Sequence, residues 1–571
     1  MHKSSALGPI AVVGPIGVVL LALGMPGDLA VAQSVRPAPP SEDASRNPIS
    51  GMKPGRIARA PDGRLILIPT EEGRRAPGAD APAPRPLIAP RPAPALLVPP
   101  RAPPPPMSRP PTAAVVPAPE PRPAYAPPPP IQRLSKGCGG HFNDPKVARP
   151  AGVLGRPRLL SEFPDPAFGA CMMRVGESAE QEIIAPMAPD VQAWNADQSL
   201  ILLSGGRIYD AHTFRLVRRI ATVPAFRARA FRWSARDPYT FYYLESLVPG
   251  AQRADDGIAC APDSARLMKY KLTRHDNGAY SGRRELEHCF TEYVRFQDDA
   301  SDRAISKNGR FVALVGERRD GGTDVFVYDL VVHTKGPVLK VPDDPQLRAR
   351  VLSAAVSPSG RYLLVTWWYA GGARYRGVEA FDRRSLHLAG KVSPSIAQGD
   401  LVMDRLEQEY LIQRNGGEGQ TTLSPKRNML FKWHIPDGFD AYGTDTGATA
   451  SHPLLTFTPG DRVRISCRNQ GVPEGCLVTT YSSPRNRARP FFNELFLVGL
   501  DSTVAAPKVR RLAHHRSDAA FTEVTTDCRI KSSWAVPRAT ISRDGSRVLF
   551  GSTWGEHCRV EPYLIDLARV E

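Results

Sequence analysis

The sequence predicts an all-β fold of repeated antiparallel sheets, mainly because one hairpin phrase recurs along the last two-thirds of the chain. The phrase places Ser, then Asn, Asp or Ser, then Gly between two β-prone runs. It occurs in residues 303–315 (RAISKNGRFVALV), 354–366 (AAVSPSGRYLLVT) and 537–550 (PRATISRDGSRVLF). Because Gly reaches positive φ at little steric cost, the phrase is typical of a tight turn joining two strands. A hairpin recurring about every 40–50 residues indicates an array of similar sheets.

A second pattern follows the hairpin phrase and completes each repeat. A third strand ends in an aromatic or acidic pair, as in Asp324–Leu330 (DVFVYDL) and Asn493–Leu500 (NELFLVGL), and a turn leads to a fourth, such as Lys508–His515 (KVRRLAHH). Four such strands form one blade of a β-propeller. The predicted fold is therefore a seven-bladed β-propeller of four-stranded antiparallel blades. The seven units begin near Val191, Ala228, Ser301, Leu352, Gly399, Arg462 and Pro537.

The start of the chain resembles a secretory signal. His2 and Lys3 precede the apolar run Ile10–Met25, and the small residues Ala30–Ala32 form a cleavage site. We therefore expect residues 1–32 to be a signal peptide. An uncleaved anchor is the alternative, although this run is short for a bilayer span of about 20 residues. No later stretch is long and apolar enough to span a membrane, so we expect no stable transmembrane span after cleavage.

Residues 33–137 hold about half of the prolines, which predicts a disordered, semi-rigid tether. Within it, only Arg64–Pro69 (RLILIP) is expected to be ordered, as a strand. The tether carries much of the formal net charge of +17, which suits either a solvated spacer or contact with an anionic envelope surface. No nucleic-acid motif is present. Residues 138–190 form an amino-terminal closing segment, with Gln181–Pro186 as the expected closing strand or a plug, and residues 191–571 form the propeller.

The repeats resemble those of bacterial TolB-like and WD40-like propellers, whose blades carry a similar turn. Ser466–Leu567 is similar to a group of secreted propellers distantly related to oligogalacturonate lyases, through the runs SCRN, NELFLV, RLAHHRSD and PRATISRDGSRVLFGSTWG. The general resemblance covers roughly residues 190–570 and implies a fold rather than a reaction. It is consistent with a periplasmic or secreted protein.

An even number of cysteines in an exported chain favours disulfide bonds. If the strands of each blade are labelled a to d from the axis outward, the blade assignment predicts which cysteines meet. The blades predict the pairs Cys260–Cys289, Cys467–Cys476 and Cys528–Cys558, which leaves Cys138 to pair with Cys171. Free thiols are the alternative, and the spacings fit no zinc site.

The b–c and d–a loops combine arginine with aromatic residues, and propellers usually bind ligands on that face. Guanidinium groups match carboxylates in two-point contact, and aromatic faces stack on sugar rings. These loops predict a binding site for an acidic polysaccharide or an acidic protein segment, with an ordinary solvated rim as the alternative. The candidate ligand-binding residues are Trp368, Arg374, Arg376, Arg487, Trp554 and His557.

His514, His515 and Arg516 are the candidates for catalysis. Together with the resemblance to lyase propellers, they suggest a base and a cation that act on an acidic sugar. We expect a binding module for a protein or acidic glycan at the cell envelope. A polysaccharide lyase or hydrolase and a structural subunit of a TolB-like envelope complex are the alternatives. We expect neither cofactor nor metal, and the sequence leaves the oligomeric state and the presence of catalysis open.

Overall fold

The computed structural model describes residues 56–59, 65–68, 138, 142–220, 232–245, 258–261, 263–297, 304–344, 347, 349–371, 375–415, 428–436, 451–471, 475–482, 489–517, 535–556 and 558–567. The chain divides into two compact units, Met1–Pro119 and Glu120–Glu571. In the first unit, β1 (Arg56–Arg59) and β2 (Leu65–Ile68) form an antiparallel pair. The strand expected within Arg64–Pro69 is therefore confirmed, but the expectation that it is the only ordered piece is wrong, because Arg56–Arg59 pairs with it.

The second unit is a ring of seven antiparallel blades, which confirms the predicted propeller. The second to sixth blades each contain four strands, a to d from the axis outward. They are β8 (Arg232–Trp233), β9 (Thr240–Glu245), β10 (Ala265–Arg274) and β11 (Tyr280–Phe290); β12 (Tyr293–Phe296), β13 (Phe311–Arg318), β14 (Thr323–Asp329) and β15 (Thr334–Lys340); β16 (Val351–Val356), β17 (Tyr362–Gly371), β18 (Tyr375–Asp382) and β19 (Leu388–Ser393); β20 (Gly399–Met403), β21 (Glu409–Arg414), β22 (Met429–His434) and β23 (Ser451–Thr456); and β24 (Arg462–Ser466), β25 (Gly475–Tyr481), β26 (Glu494–Gly499) and β27 (Val509–His514).

The first blade is the least regular of the ring. It contains β5 (Leu200–Leu203), β6 (Arg207–Asp210) and β7 (Leu216–Arg219), and a single bridge from Trp194 to Ile201 occupies the innermost position.

No helix in the described part of the chain is long and apolar enough to cross a membrane.

The two ends of the propeller close the ring by sharing the seventh blade. Its strands are β28 (Thr540–Ile541), β29 (Arg547–Ser552), β30 (Glu561–Asp566) and then β4 (Cys171–Arg174) from the amino-terminal side, with β3 (Glu162–Pro164) outside it. The expectation that Gln181–Pro186 closes the ring is wrong, because β4 occupies the edge of β30. Ile183 forms only an isolated parallel bridge to Val560.

The serine of the hairpin phrase has a specific role in the turns. Ser306 Oγ accepts a hydrogen bond from the N–H of Phe311 at 3.0 Å, and the Ser357 and Ser542 hydroxyls accept equivalent bonds at 3.1 and 2.9 Å. The glycine of each phrase has positive φ, for example 69° at Gly309 and 84° at Gly360. The phrase therefore fixes the a–b turns of the third, fourth and seventh blades.

Apolar side chains between neighbouring blades form the core. Between the fifth and sixth blades, for example, Ile412 and Leu430 pack in one cluster with Ile465 and Phe496, all of them fully buried. Each blade thus buries both faces, as expected for sheets stacked around an axis.

Two of the four predicted disulfide bonds are present. Cys260–Cys289 links the b–c loop of the second blade to its d strand, and Cys467–Cys476 flanks the a–b loop of the sixth. The predicted Cys138–Cys171 bond is absent. Cys171 is buried in the closing strand β4, where it lies between Pro164 of β3 and Asp566 of β30. Cys528 lies outside the described residues, so the Cys528–Cys558 bond stays a prediction.

Candidate functional site

The outer strand of the sixth blade, which leads into the candidate catalytic residues, differs from other outer strands. Strands β7 and β15 contain only exposed and half-buried residues, whereas five of the six residues of β27 are buried. Residues 142–174, which we call the clasp, cover this part of the molecule. Phe142 bridges to Arg511 on β27, and β4 at the other end of the clasp completes the seventh blade.

His515 is fully buried and has a hydrogen bond at each ring nitrogen. The Ser517 N–H donates to His515 Nδ1 at 3.0 Å, so Nε2 carries the proton and donates to the Thr480 carbonyl at 3.0 Å. Burial lowers the pKa of His515 to about 3, which keeps the imidazole neutral. This side chain ties the start of the d–a loop to strand β25.

His514 is also buried, with 1% of its surface exposed. Its ring stacks on Phe168 of the clasp with centroids 5.0 Å apart. Its nitrogens lie between two carboxylates, 3.9 Å from Asp165 and 4.0 Å from Glu494. Burial opposes ionisation of Asp165, but the interaction with His514 outweighs it and lowers the pKa of this carboxyl. His514 therefore contacts the clasp rather than solvent.

Arg511 is the centre of the clasp contact. Its Nε and Nη2 donate to the two Glu494 oxygens at 2.7 and 2.6 Å, and neither side chain is exposed. Its Nη1 donates to the clasp carbonyls of Asp144 and Val147 at 3.1 and 2.5 Å. Phe142, Phe168 and Phe491 surround the guanidinium, whose carbon lies 5.1, 4.8 and 5.3 Å from their ring centroids.

Arg516 and Trp554 bind the middle of the clasp. Arg516 Nη1 donates to the Gly152 carbonyl at 2.6 Å, and Trp554 Nε1 donates to the Gly155 carbonyl at 3.1 Å. The Trp554 ring stacks on Tyr563 at 4.6 Å. Two predicted site residues thus come together, with Arg516 lying 5.4 Å over the Trp554 ring, and both use their polar atoms to dock the clasp.

The remaining predicted ligand-binding residues are distributed differently. Trp368 is half-buried on β17, and Arg350 lies 5.6 Å from the centre of its ring. Arg374, Arg487 and His557 lie outside the described residues, and Arg376 is described only as backbone of β18. Their predicted role in ligand binding stays a prediction.

A pocket that the sequence analysis did not identify lies between the third and fourth blades, on the face of the a–b and c–d turns. Its volume is about 570 Å³, and we call it the arginine pocket. The a–b turn of the third blade supplies Arg310, the a–b turn of the fourth supplies Arg361, and the c–d turn of the fourth supplies Arg383 and Arg384. In the sequence, the hairpin phrase of each of these two blades is followed by an arginine, and this repetition could have indicated the pocket.

The arginines of the pocket interact with one another electrostatically. Burial, and then the neighbouring charges of Arg384 and Arg310, lower the pKa of Arg383. Arg383 lies 3.8 Å over the Phe311 ring, and its Nε donates to the Gly360 carbonyl at 2.8 Å. Like charges are therefore held together by packing that fixes their positions.

Three carboxylates, those of Asp329, Asp382 and Glu409, accompany these four arginines. Asp329 pairs with Arg310 at 2.8 Å and also accepts the Val331 N–H. Asp382 accepts from the Ser385 N–H and hydroxyl, and these bonds lower the pKa of its carboxyl. Glu409 accepts the N–H of the lining residue Ser359 at 2.6 Å. Four guanidinium groups against three carboxylates leave a net charge of +1 at this pocket.

Two other cavities are less suited to an anion. A groove of about 1010 Å³, lined largely by strands of the sixth blade, has a nearly balanced lining. Its four cations face three carboxylates, those of Asp404, Asp501 and Asp544, and Lys508 pairs with Asp501. The cations are Arg405, Lys432, Lys508 and Arg510. A cavity of about 20 Å³, lined partly by Lys307, has room for little more than one water. In the described ranges, no group of three or more His, Cys, Asp or Glu side chains is arranged to hold a metal.

No family model matches the sequence, and no curated protein matches it. Solved propeller structures are similar to the chain. They include oligogalacturonate lyase from Vibrio parahaemolyticus, at 9% identity over 71% of this chain and 96% of that one, with a TM-score of 0.44. TolB from Acinetobacter baumannii is 14% identical over 57% of this chain and 62% of its own, with a TM-score of 0.29. At these identities the similarity concerns the fold alone.

Proposed function

We propose that this chain is an exported β-propeller that binds an anionic ligand, a protein or an acidic polysaccharide, at the cell envelope. The arginine pocket is the observation that carries the proposal. Its four guanidinium groups outnumber the three nearby carboxylates, and they come from three turns of two blades. Such a rigid cationic concavity favours carboxylate-bearing ligands through charge-assisted hydrogen bonds.

Export is supported by the predicted signal peptide and by the two disulfide bonds, which persist mainly in oxidising compartments. A lyase or hydrolase would need an accessible base beside the cations. His514 and His515 are instead buried in contact with the clasp and with β25. Binding is therefore the better supported function.

The test is retention of the full chain on immobilised polyanions, namely polyglutamate and polygalacturonate, against neutral polyglutamine and dextran. We expect retention on at least one polyanion, weakening steeply as salt rises, because counterions are displaced from the ligand. Arg361→Glu with Arg384→Glu should abolish it. Arg215→Glu with Arg274→Glu is the matched control, since both residues are exposed arginines of other blades.

Equal retention of both double variants would contradict the proposal, because the charge of the whole surface would then explain binding. Retention on neutral supports would contradict it as well. Absorbance of unsaturated products on polygalacturonate, measured in the same samples, reports separately on lyase activity.

A further inference from the structure

The arginine pocket also indicates which kind of anion it suits. Resting on the proposed function, we infer that its ligand is an acidic protein segment, a run rich in Asp and Glu, rather than an acidic polysaccharide. The observation that carries this inference is that arginine side chains cover the aromatic rings at the pocket.

Recognition of a sugar ring commonly uses an open aromatic face. In the pocket, the Phe311 ring is already covered. The guanidinium carbon of Arg383 lies 3.8 Å from its centroid and that of Arg310 lies 4.9 Å away, and only 7% of the residue is exposed. Phe311 therefore positions the arginines and offers no platform for a sugar.

Tyr362 follows the same pattern in the fourth blade. Arg361 lies 5.0 Å over its ring, and 8% of the tyrosine is exposed. The turn phrase explains the repetition, since a basic residue and an aromatic residue follow its glycine in both blades. The charged groups, not the rings, are what the described part of the pocket presents to a ligand.

The guanidinium groups differ in whether carboxylates or other acceptors already bond their N–H groups. Arg310 pairs with Asp329, whereas no acceptor among the described residues bonds Nη1 or Nη2 of Arg383. Arg361 and Arg384 are exposed and form no ion pair within the described residues. Three groups are thus available for two-point contacts with carboxylates.

These groups lie at different depths, since Arg383 is half-buried and the other two are exposed. Asp and Glu carboxylates sit on flexible side chains along a flexible backbone and can adjust to such an arrangement. The carboxylate of a uronic acid is fixed to its ring, and the ring itself gains little contact because arginines cover Phe311 and Tyr362, the described aromatic rings next to the pocket. The pocket volume of about 570 Å³ suits a few residues of an extended segment.

The test compares two fluorescent ligands with equal numbers of carboxylates, a peptide of alternating Glu and Gly and an oligogalacturonate, by anisotropy with the full chain. A Gln/Gly peptide is the neutral control. We expect the Glu peptide to bind at least tenfold more tightly than the oligogalacturonate. Arg361→Gln with Arg384→Gln should weaken peptide binding at least tenfold, and Arg215→Gln with Arg274→Gln should change it less than twofold.

Equal or tighter binding of the oligogalacturonate would overturn the inference while leaving the proposed function intact. Binding of neither anion by the folded chain would overturn both. Phe311→Leu gives a separate readout, because losing the ring that positions Arg383 should weaken peptide binding. Stronger oligogalacturonate binding by Phe311→Leu than by the unchanged chain would contradict the assigned role of this ring.

Discussion

Two regions of this propeller place arginine against phenylalanine rings. In one region the arginine is buried and fully hydrogen-bonded, and in the other it keeps N–H groups available. In the clasp contact, Arg511 is fully buried between Phe142, Phe168 and Phe491, and Glu494 and clasp carbonyls satisfy it. In the arginine pocket, Arg383 also lies on a phenylalanine ring, but its Nη atoms have no acceptor among the described residues.

The difference between the two regions is one of charge balance and access. A buried arginine needs a partner for its charge and for its hydrogen bonds, so its contacts contribute to the stability of the fold. A partly exposed group of arginines in excess over carboxylates is tolerated because water solvates it, and a ligand can replace that water. Arginine-rich loops in a propeller sequence therefore do not by themselves distinguish a docking contact from a binding site.

The largest expected effect is on the clasp contact. Arg511→Met should lower the free energy of unfolding by about 3–5 kcal/mol, because it removes the two-point guanidinium partner of the buried Glu494 carboxylate. Urea unfolding followed by tryptophan fluorescence measures this. Arg511→Met with Glu494→Leu should recover much of the loss, since it removes both charges. A single-variant cost below about 1 kcal/mol would contradict the contrast between the two regions.

A pH-dependent effect, smaller than that of Arg511→Met within the first pH units below neutrality, is expected at His515. Its pKa is lowered to about 3 in the folded chain from an ordinary 6.5, so below pH 6.5 the unfolded chain binds the extra proton. Stability should therefore fall by about 1.4 kcal/mol per pH unit as the pH drops from 6.5 toward 3. His515→Gln keeps a donor and an acceptor but does not titrate, so its profile should lack this component.

Thermal unfolding of the unchanged chain and of His515→Gln is measured across this pH range. The difference between the two stability profiles gives the contribution of His515 titration. Parallel profiles would show that His515 titrates normally and that its ring is accessible to water.

The smallest expected effect is on the stability of the pocket variants. Arg384→Met should change the free energy of unfolding by less than about 0.5 kcal/mol, because the side chain is exposed and forms no ion pair in the described residues. Urea unfolding beside Arg511→Met provides the matched comparison. A loss comparable to that of Arg511→Met would assign the pocket to folding rather than to binding.

The fold could largely be predicted because its signals are local. The turn at Ser306–Gly309 needs only a hydroxyl and a glycine that are near in sequence, and Cys467 and Cys476 flank a single hairpin. The closing strand could not be predicted in the same way. Cys171–Arg174 is four residues long, and its partner β30 lies at the other end of the chain.

The candidate site depended on contacts that are distant in sequence. Nothing near His514 in sequence indicates that Phe168 stacks on it, so its burial was not predictable from the loop. The basic residues after the a–b turns were visible, but the pocket arises only where Arg310 of one blade lies close to Arg383 of the next. The turn phrase, which the sequence assigns to structure alone, therefore also contributes two of the four cations of the proposed site, Arg310 and Arg361.

Hydrogen-exchange mass spectrometry of the full chain, with and without a Glu-rich peptide, tests the proposed binding site most directly. We expect slower exchange around residues 308–311, 359–361 and 382–384 on adding the peptide, and unchanged exchange around residues 511–516. Protection confined to residues 511–516 and the clasp, with none at the arginine pocket, would contradict the assignment of binding to that pocket.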